Sequence, residues 1–127
     1  MVTFLNEGEN IELHYHDKQT EKLCTDLKKA KKELNARVAE KLFAPINLLE
    51  SAETLQDIAA MAPYHLHPME GDRKGQHALD IAGRRAGYRL LIVPIDENGQ
   101  PFEETDVNIV YRATKVIIVW EVTNHYE

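Results

Sequence analysis

A single cysteine, Cys24, is all the thiol chemistry this 127-residue chain carries. With no second thiol an internal disulfide is impossible, which excludes the disulfide-stapled secreted scaffolds and points to a reducing, cytoplasmic setting. Long apolar runs are missing as well. Nothing approaches the roughly 20 residues that cross a bilayer, and residues 1–10 have neither the basic start nor the apolar run of a signal peptide. No membrane association is expected. Surplus positive charge is also absent: 15 Lys and Arg stand against 21 Asp and Glu, a net charge of -6. That balance excludes a protein that coats nucleic acid by bulk attraction, because phosphate binding needs Lys and Arg. Any nucleic-acid contact has to be local. Internal repeats, low-complexity tracts and linkers are not seen.

What the chain does have is enough apolar material, 43% of its residues, to build a core. A chain of this length buries roughly two-thirds of its unfolded surface and suits one domain, 1–127. The charge is unevenly spread: residues 1–60 carry -3, residues 61–91 carry +2 and residues 92–127 carry -5. The middle segment alone is basic, and it holds His65, His67 and His77.

Hydrophobic periodicity orders the elements. Residues 11–16 alternate apolar and polar side chains and predict a short strand. Leu23, Leu27, Ala30 and Leu34 form one helical stripe backed by a lysine-rich face, which reads as a solvated surface with an RNA-binding patch as the alternative. Val38, Leu42, Phe43, Ile46 and Leu49 form a second stripe, which Pro45 is expected to kink or end. Ser51, Glu53 and Thr54 before Leu55, Ile58 and Ala59 predict a capped short helix ended by Pro63. Strands are then expected at 76–81, 88–95 and 115–123, with a turn at 96–101 and an acidic surface excursion to Asp106. The order is helices and then an antiparallel meander, an α+β sandwich of two layers with the N-terminal helices on a small antiparallel sheet.

Chemistry concentrates in residues 64–91. Gly71 and Gly75 bracket Asp72, Arg73 and Lys74, and Gly83 and Gly87 flank Arg84 and Arg85, while Arg89 falls inside a strand. Cations from loop and strand converging on one concave face would let an acidic protein hold a phosphate. The chain closes on Asn124, His125 and Tyr126. If the last strand pairs beside the Tyr88 strand, those groups become neighbours of Arg89 and His67. No Cys or carboxylate cluster has zinc-ligand spacing, and the His-x-His pairs at 14–16 and 65–67 read as strand alternation, so no metal or other cofactor is predicted.

The run Leu66-His67-Pro68-Met69-Glu70-Gly71-Asp72-Arg73-Lys74-Gly75-Gln76, followed by Gly87-Tyr88-Arg89-Leu90 and by Asn124-His125-Tyr126, resembles HigB-type toxins of the RelE/ParE superfamily, also called plasmid maintenance killer proteins. The resemblance covers about residues 11–127 and is strongest over 64–91. It implies a RelE/ParE-like fold and the toxin of a type II toxin-antitoxin pair: an endoribonuclease that cuts mRNA on the ribosome and is silenced by a helix-turn-helix, HigA-like antitoxin. The chain departs from the family in several places. Glu70 stands where a Lys is common, His77 where an aromatic is common, and the closing Tyr and His are in exchanged order.

Metal-free RNA cleavage needs a base for the 2′-hydroxyl, an acid for the departing 5′-oxygen and a cation for the phosphorane. His67 matches the family's His before Pro, Arg89 its strand Arg, and Asn124, His125 and Tyr126 its closing residues; by residue chemistry His67 and His125 are the acid/base candidates, Arg89 the cation for the transition state, and Tyr126 a base-stacking group or proton donor. Arg73, Lys74, Arg84, Arg85 and Asn124 would bind substrate. Two alternatives remain: a gyrase-poison-like binding module on the same fold, and a homologue that has lost activity and only binds its antitoxin.

Overall fold

The computed structural model describes residues 10–124; His125 and Tyr126 lie outside them. The chain begins with a short strand, β1 (Glu12–Tyr15), and then builds four helices: α1 (Lys18–Thr25), α2 (Leu27–Glu33), α3 (Ala36–Ser51) and α4 (Leu55–Ala59). Strands β2 (His67–Pro68), β3 (His77–Ile81) and β4 (Tyr88–Ile95) follow, then helix α5 (Val107–Ala113) and strand β5 (Val116–Asn124). The five strands make one mixed sheet in the order β1-β5-β4-β3-β2. The β3–β4 and β4–β5 pairs are antiparallel, as the meander predicts, and β2, a two-residue strand outside that expectation, pairs antiparallel with β3. Strand β1 joins parallel to β5, so the sheet is not wholly antiparallel.

Four of the five helices among the described residues, all but α4, start at a side-chain cap. Asp17 accepts from the Thr20 amide, Asp26 from Lys28 and Lys29, Asn35 from Val38, and Asp106 from Asn108, each side chain satisfying amides with no intrahelical partner. The Asp26 cap divides the expected single helix through Leu23 and Leu34 into α1 and α2, and the break leaves Leu27 exposed. Helix α3 runs through Pro45 to Ser51 and does not end there. The cost of the missing Pro45 amide is offset by its burial alongside Val38, Ala39, Leu42, Ile46 and Leu49. Ser51 is the last residue of α3 rather than a cap for α4, which begins after Thr54.

The core lies between the layers. Leu42, Ile46 and Leu49 of α3, Leu55 and Ile58 of α4, and Val110 and Tyr111 of α5 pack with Leu79, Ile81, Leu90, Ile92, Ile117 and Val119 of the sheet. Residues directly opposite on paired strands share a face. Leu79 faces Leu90 and Ile81 faces Tyr88, and all four belong to the helix-covered side. Pro94 sits late in β4, past the last β3 pairing at Ile92, so the missing donor costs no hydrogen bond to β3. Among the described residues no helix is long and apolar enough to cross a membrane.

Candidate functional site: a cleft on the far face of the sheet

The face of the sheet turned away from the helices carries two neighbouring cross-strand rows. One runs His67, Ala78, Leu91, Glu121 across β2, β3, β4 and β5; the next runs Asp80, Arg89, Thr123. His67 and Arg89 therefore share a face, two strands apart, with the small side chain of Ala78 beside them. The segment between β2 and β3 folds back over this face. Its two glycines, Gly71 (φ 63°) and Gly75 (φ 96°), adopt the left-handed backbone that glycine tolerates and that turns the chain sharply. From there Arg73 reaches across to β5, with Nη1 3.1 Å from Gln76 Oε1 and 3.4 Å from Glu121 Oε1. Ala78 and Leu91 are fully buried beneath.

The result is an open cleft of about 440 Å³ lined by His67, Pro68, Met69, Glu70, Asp72, Arg73 and Arg89. His67 Nδ1 lies 2.7 Å from the His65 carbonyl oxygen. A carbonyl only accepts, so the neutral imidazole carries its proton on Nδ1 and leaves Nε2 with a free lone pair. His65 itself adopts a left-handed conformation (φ 46°) and closes the 3-10 turn Ala62–Tyr64, which puts its ring 4.5 Å from that of His67. The 65–67 pair is therefore a turn followed by a strand start and not strand alternation.

Arg89 is held from behind. Its Nε is 3.8 Å from Oδ1 of Asp80, the residue opposite it, and Asp80 is 2% exposed. The other carboxylate oxygen of Asp80 is 3.9 Å from His65 Nδ1 and has no hydrogen-bond partner among the described residues. Both guanidinium groups of the cleft thus face a carboxylate, Asp80 for Arg89 and Glu121 for Arg73. Glu70 and Asp72 add negative charge to the rim. Four carboxylates thus surround two guanidinium groups, so the cleft is not the uniformly positive hollow that residue types alone imply.

Of the nine residues the sequence singles out, three meet here: His67, Arg73 and Arg89. Lys74 lines a different hollow, beside Glu70, Glu103 and Glu104. Arg84 and Arg85 line a third, next to α3. Asn124 stands opposite Tyr88, and lines a hollow with His16 and Trp120, whose rings stack 3.7 Å apart. His125 and Tyr126 fall outside the described residues, so their place relative to the cleft is not described. The alternation of β5 puts Thr123, and not Asn124, on the Arg89 face.

His77 belongs to the interior. Its Nδ1 lies 2.7 Å from the Tyr111 hydroxyl of α5, and burial, followed by the nearby charge of His67, pushes its pKa down to about 4. Asp80, Glu121 and His65, which hold Arg89, Arg73 and His67 from behind the cleft, are the groups that sequence reasoning missed. The first two are recognisable only from cross-strand register; His65 sits two residues before His67 in a stretch read as a strand. Among the described residues no group of three or more His, Cys, Asp or Glu is placed to hold a metal ion. No family model, curated protein or solved structure matches the chain.

Proposed function

We propose that the chain is a RelE/ParE-like toxin of the HigB type, an endoribonuclease that cuts mRNA on the ribosome by metal-independent acid/base chemistry and is held inactive by a helix-turn-helix antitoxin. The observation that carries this reading is the placing of His67, with a free Nε2, on the same sheet face and in the same cleft as Arg89 and Arg73. In the proposed reaction His67 Nε2 takes the 2′-hydroxyl proton as that oxygen attacks the adjacent phosphorus. The bond to the 5′-oxygen then breaks, leaving a 2′,3′-cyclic phosphate and a 5′-hydroxyl once an acid supplies the second proton. His125 is the proposed acid. Arg89 stabilises the charge on the phosphorane, since a guanidinium contacts two phosphate oxygens at once, and Arg73 holds a flanking phosphate. Tyr126 stacks on a base.

RNA phosphates have to compete with Asp80 and Glu121 for the two arginines. That requirement favours a second reading, a homologue that has lost cleavage and only binds its antitoxin. Expression in bacteria without an antitoxin separates the two. Wild type is expected to arrest growth and Arg89→Ala to be harmless; equal harmlessness of both, with transcripts intact, overturns the nuclease reading.

A further inference from the structure

The hollow that takes Arg84 and Arg85 away from the cleft gathers four cations. Arg37 and Lys41 lie one turn apart on α3 and so share a face of that helix. Arg84 and Arg85 sit in a 3-10 turn after β3, set up by left-handed backbone at Ala82 (φ 61°), Gly83 (φ 84°) and Gly87 (φ 78°). The two pairs, more than forty positions apart in sequence, line one hollow of about 560 Å³ with Tyr64 and Asp80 in its wall. Lys29, Lys31, Arg73 and Arg89 are the Lys and Arg residues that form ion pairs among the described residues, and none of these four is among them. Asp80, the one acid in the wall, has its carboxylate 3.8 Å from Arg89 and 3.9 Å from His65.

We propose that this hollow is a second binding site for the phosphate backbone of RNA, distinct from the cleft. The inference rests on the RNA-cleaving reading of the cleft and extends it. Four cations without an ion-pair partner among the described residues, against the single acid Asp80 in the wall, concentrate positive charge of the kind that attracts a polyanion in a protein of net charge -6. Three of them are guanidinium groups, which grip phosphate oxygens in pairs. Tyr64 adds an aromatic surface of the kind on which unpaired bases stack. The position is also apt, because Asp80 lines this hollow and faces Arg89 of the cleft, so the two sites adjoin. RNA phosphates reach such a site either from the message itself or from ribosomal RNA.

The test uses two neutralised pairs, Arg37→Gln with Lys41→Gln and Arg84→Gln with Arg85→Gln, each first checked for an unchanged thermal midpoint. Binding of wild type and both pairs is measured to a single-stranded RNA oligonucleotide and, separately, to vacant ribosomes, across a salt series. Each pair is expected to weaken binding about tenfold or more in at least one arm and to flatten the salt slope by roughly 0.7 per lost contact. The arm affected identifies the source of the phosphates. Wild-type binding by both pairs in both arms, or no binding by wild type in either, overturns the proposal. So does loss of binding to polyglutamate with RNA binding kept, which assigns the hollow to an acidic protein segment. Transcript cleavage is scored in parallel: weakened RNA binding with no cleavage by wild type keeps this site and removes the nuclease reading, and cleavage with unaltered binding does the reverse.

Discussion

Asp80 and Arg89 stand directly opposite each other on β3 and β4, with Arg89 Nε 3.8 Å from a carboxylate oxygen that is almost wholly shielded from water. The carboxylate competes with any phosphate for that guanidinium. Asp80→Asn keeps the shape and removes the competing charge. Affinity for a single-stranded RNA oligonucleotide is expected to rise several-fold, with the salt slope steeper by about 0.7, as one further phosphate is engaged. Titration at two salt concentrations checks this, and an affinity equal to that of wild type contradicts the idea that Asp80 restrains Arg89.

The burial of His77, beside the Tyr111 hydroxyl, makes stability depend on pH. Unfolded, an imidazole takes a proton below about pH 6.5; folded, burial delays this to about 4. Between those values the unfolded state holds more protons, so this group lowers stability as pH falls from 6.5 towards 4 and has no effect above 6.5. The full effect is about 3 kcal/mol. Urea melts of wild type and His77→Phe are expected to show the variant less stable by about 1–3 kcal/mol near neutral pH, because the Tyr111 hydroxyl loses its partner. The gap should narrow near about pH 4.5. A gap that stays constant between the two pH values removes the titration of His77 from the account.

Cys24 is 1% exposed, and burial pushes its thiol up to about 12. Since the thiolate is the reactive form, the native protein is expected to resist thiol reagents at about pH 8 and to react at once in urea. Rapid labelling of the folded protein would show that the α1–sheet packing opens far more readily than the structure implies.

Asn35 caps α3, its side-chain oxygen 2.9 Å from the Val38 amide. Asn35→Ala is expected to cost about 1 kcal/mol in urea melts. Because α3 carries both the core stripe and Arg37 with Lys41, a loss well above about 2 kcal/mol would mean that the whole helix, and not its first turn, depends on this cap.

The strands were legible because their apolar runs are dense. The 88–95 expectation coincides with β4, and the 76–81 and 115–123 expectations differ from β3 and β5 by one residue at one or both ends. Local stripes were less decisive where a cap or packing overrode them. Leu27 is in phase with Leu23 and Ala30, yet the Asp26 cap breaks the helix between them; Pro45 looks like a stop, yet burial carries α3 past it. Helix α5 hid behind an acidic stretch, although Asp106 followed by Val107, Val110 and Tyr111 has the spacing of a capped amphipathic turn. At the cleft, His67, Arg73 and Arg89 were readable as a motif. Asp80 and Glu121 were not, since only strand register brings them behind the arginines, and the meeting of α3 and the turn at 84–86 around one hollow has no local signal at all.

The most direct test of the central claim is the chemistry of the cut ends. Translating extracts given wild-type protein are expected to yield upstream fragments ending in a 2′,3′-cyclic or 3′-phosphate and downstream fragments beginning with a 5′-hydroxyl. His67→Ala and Arg89→Ala should each slow the appearance of those ends by roughly 10²-fold or more. Fragments with 3′-hydroxyl and 5′-phosphate ends, or equal cleavage by wild type and both variants, would contradict the assignment of the cleft as an RNA-cleaving site.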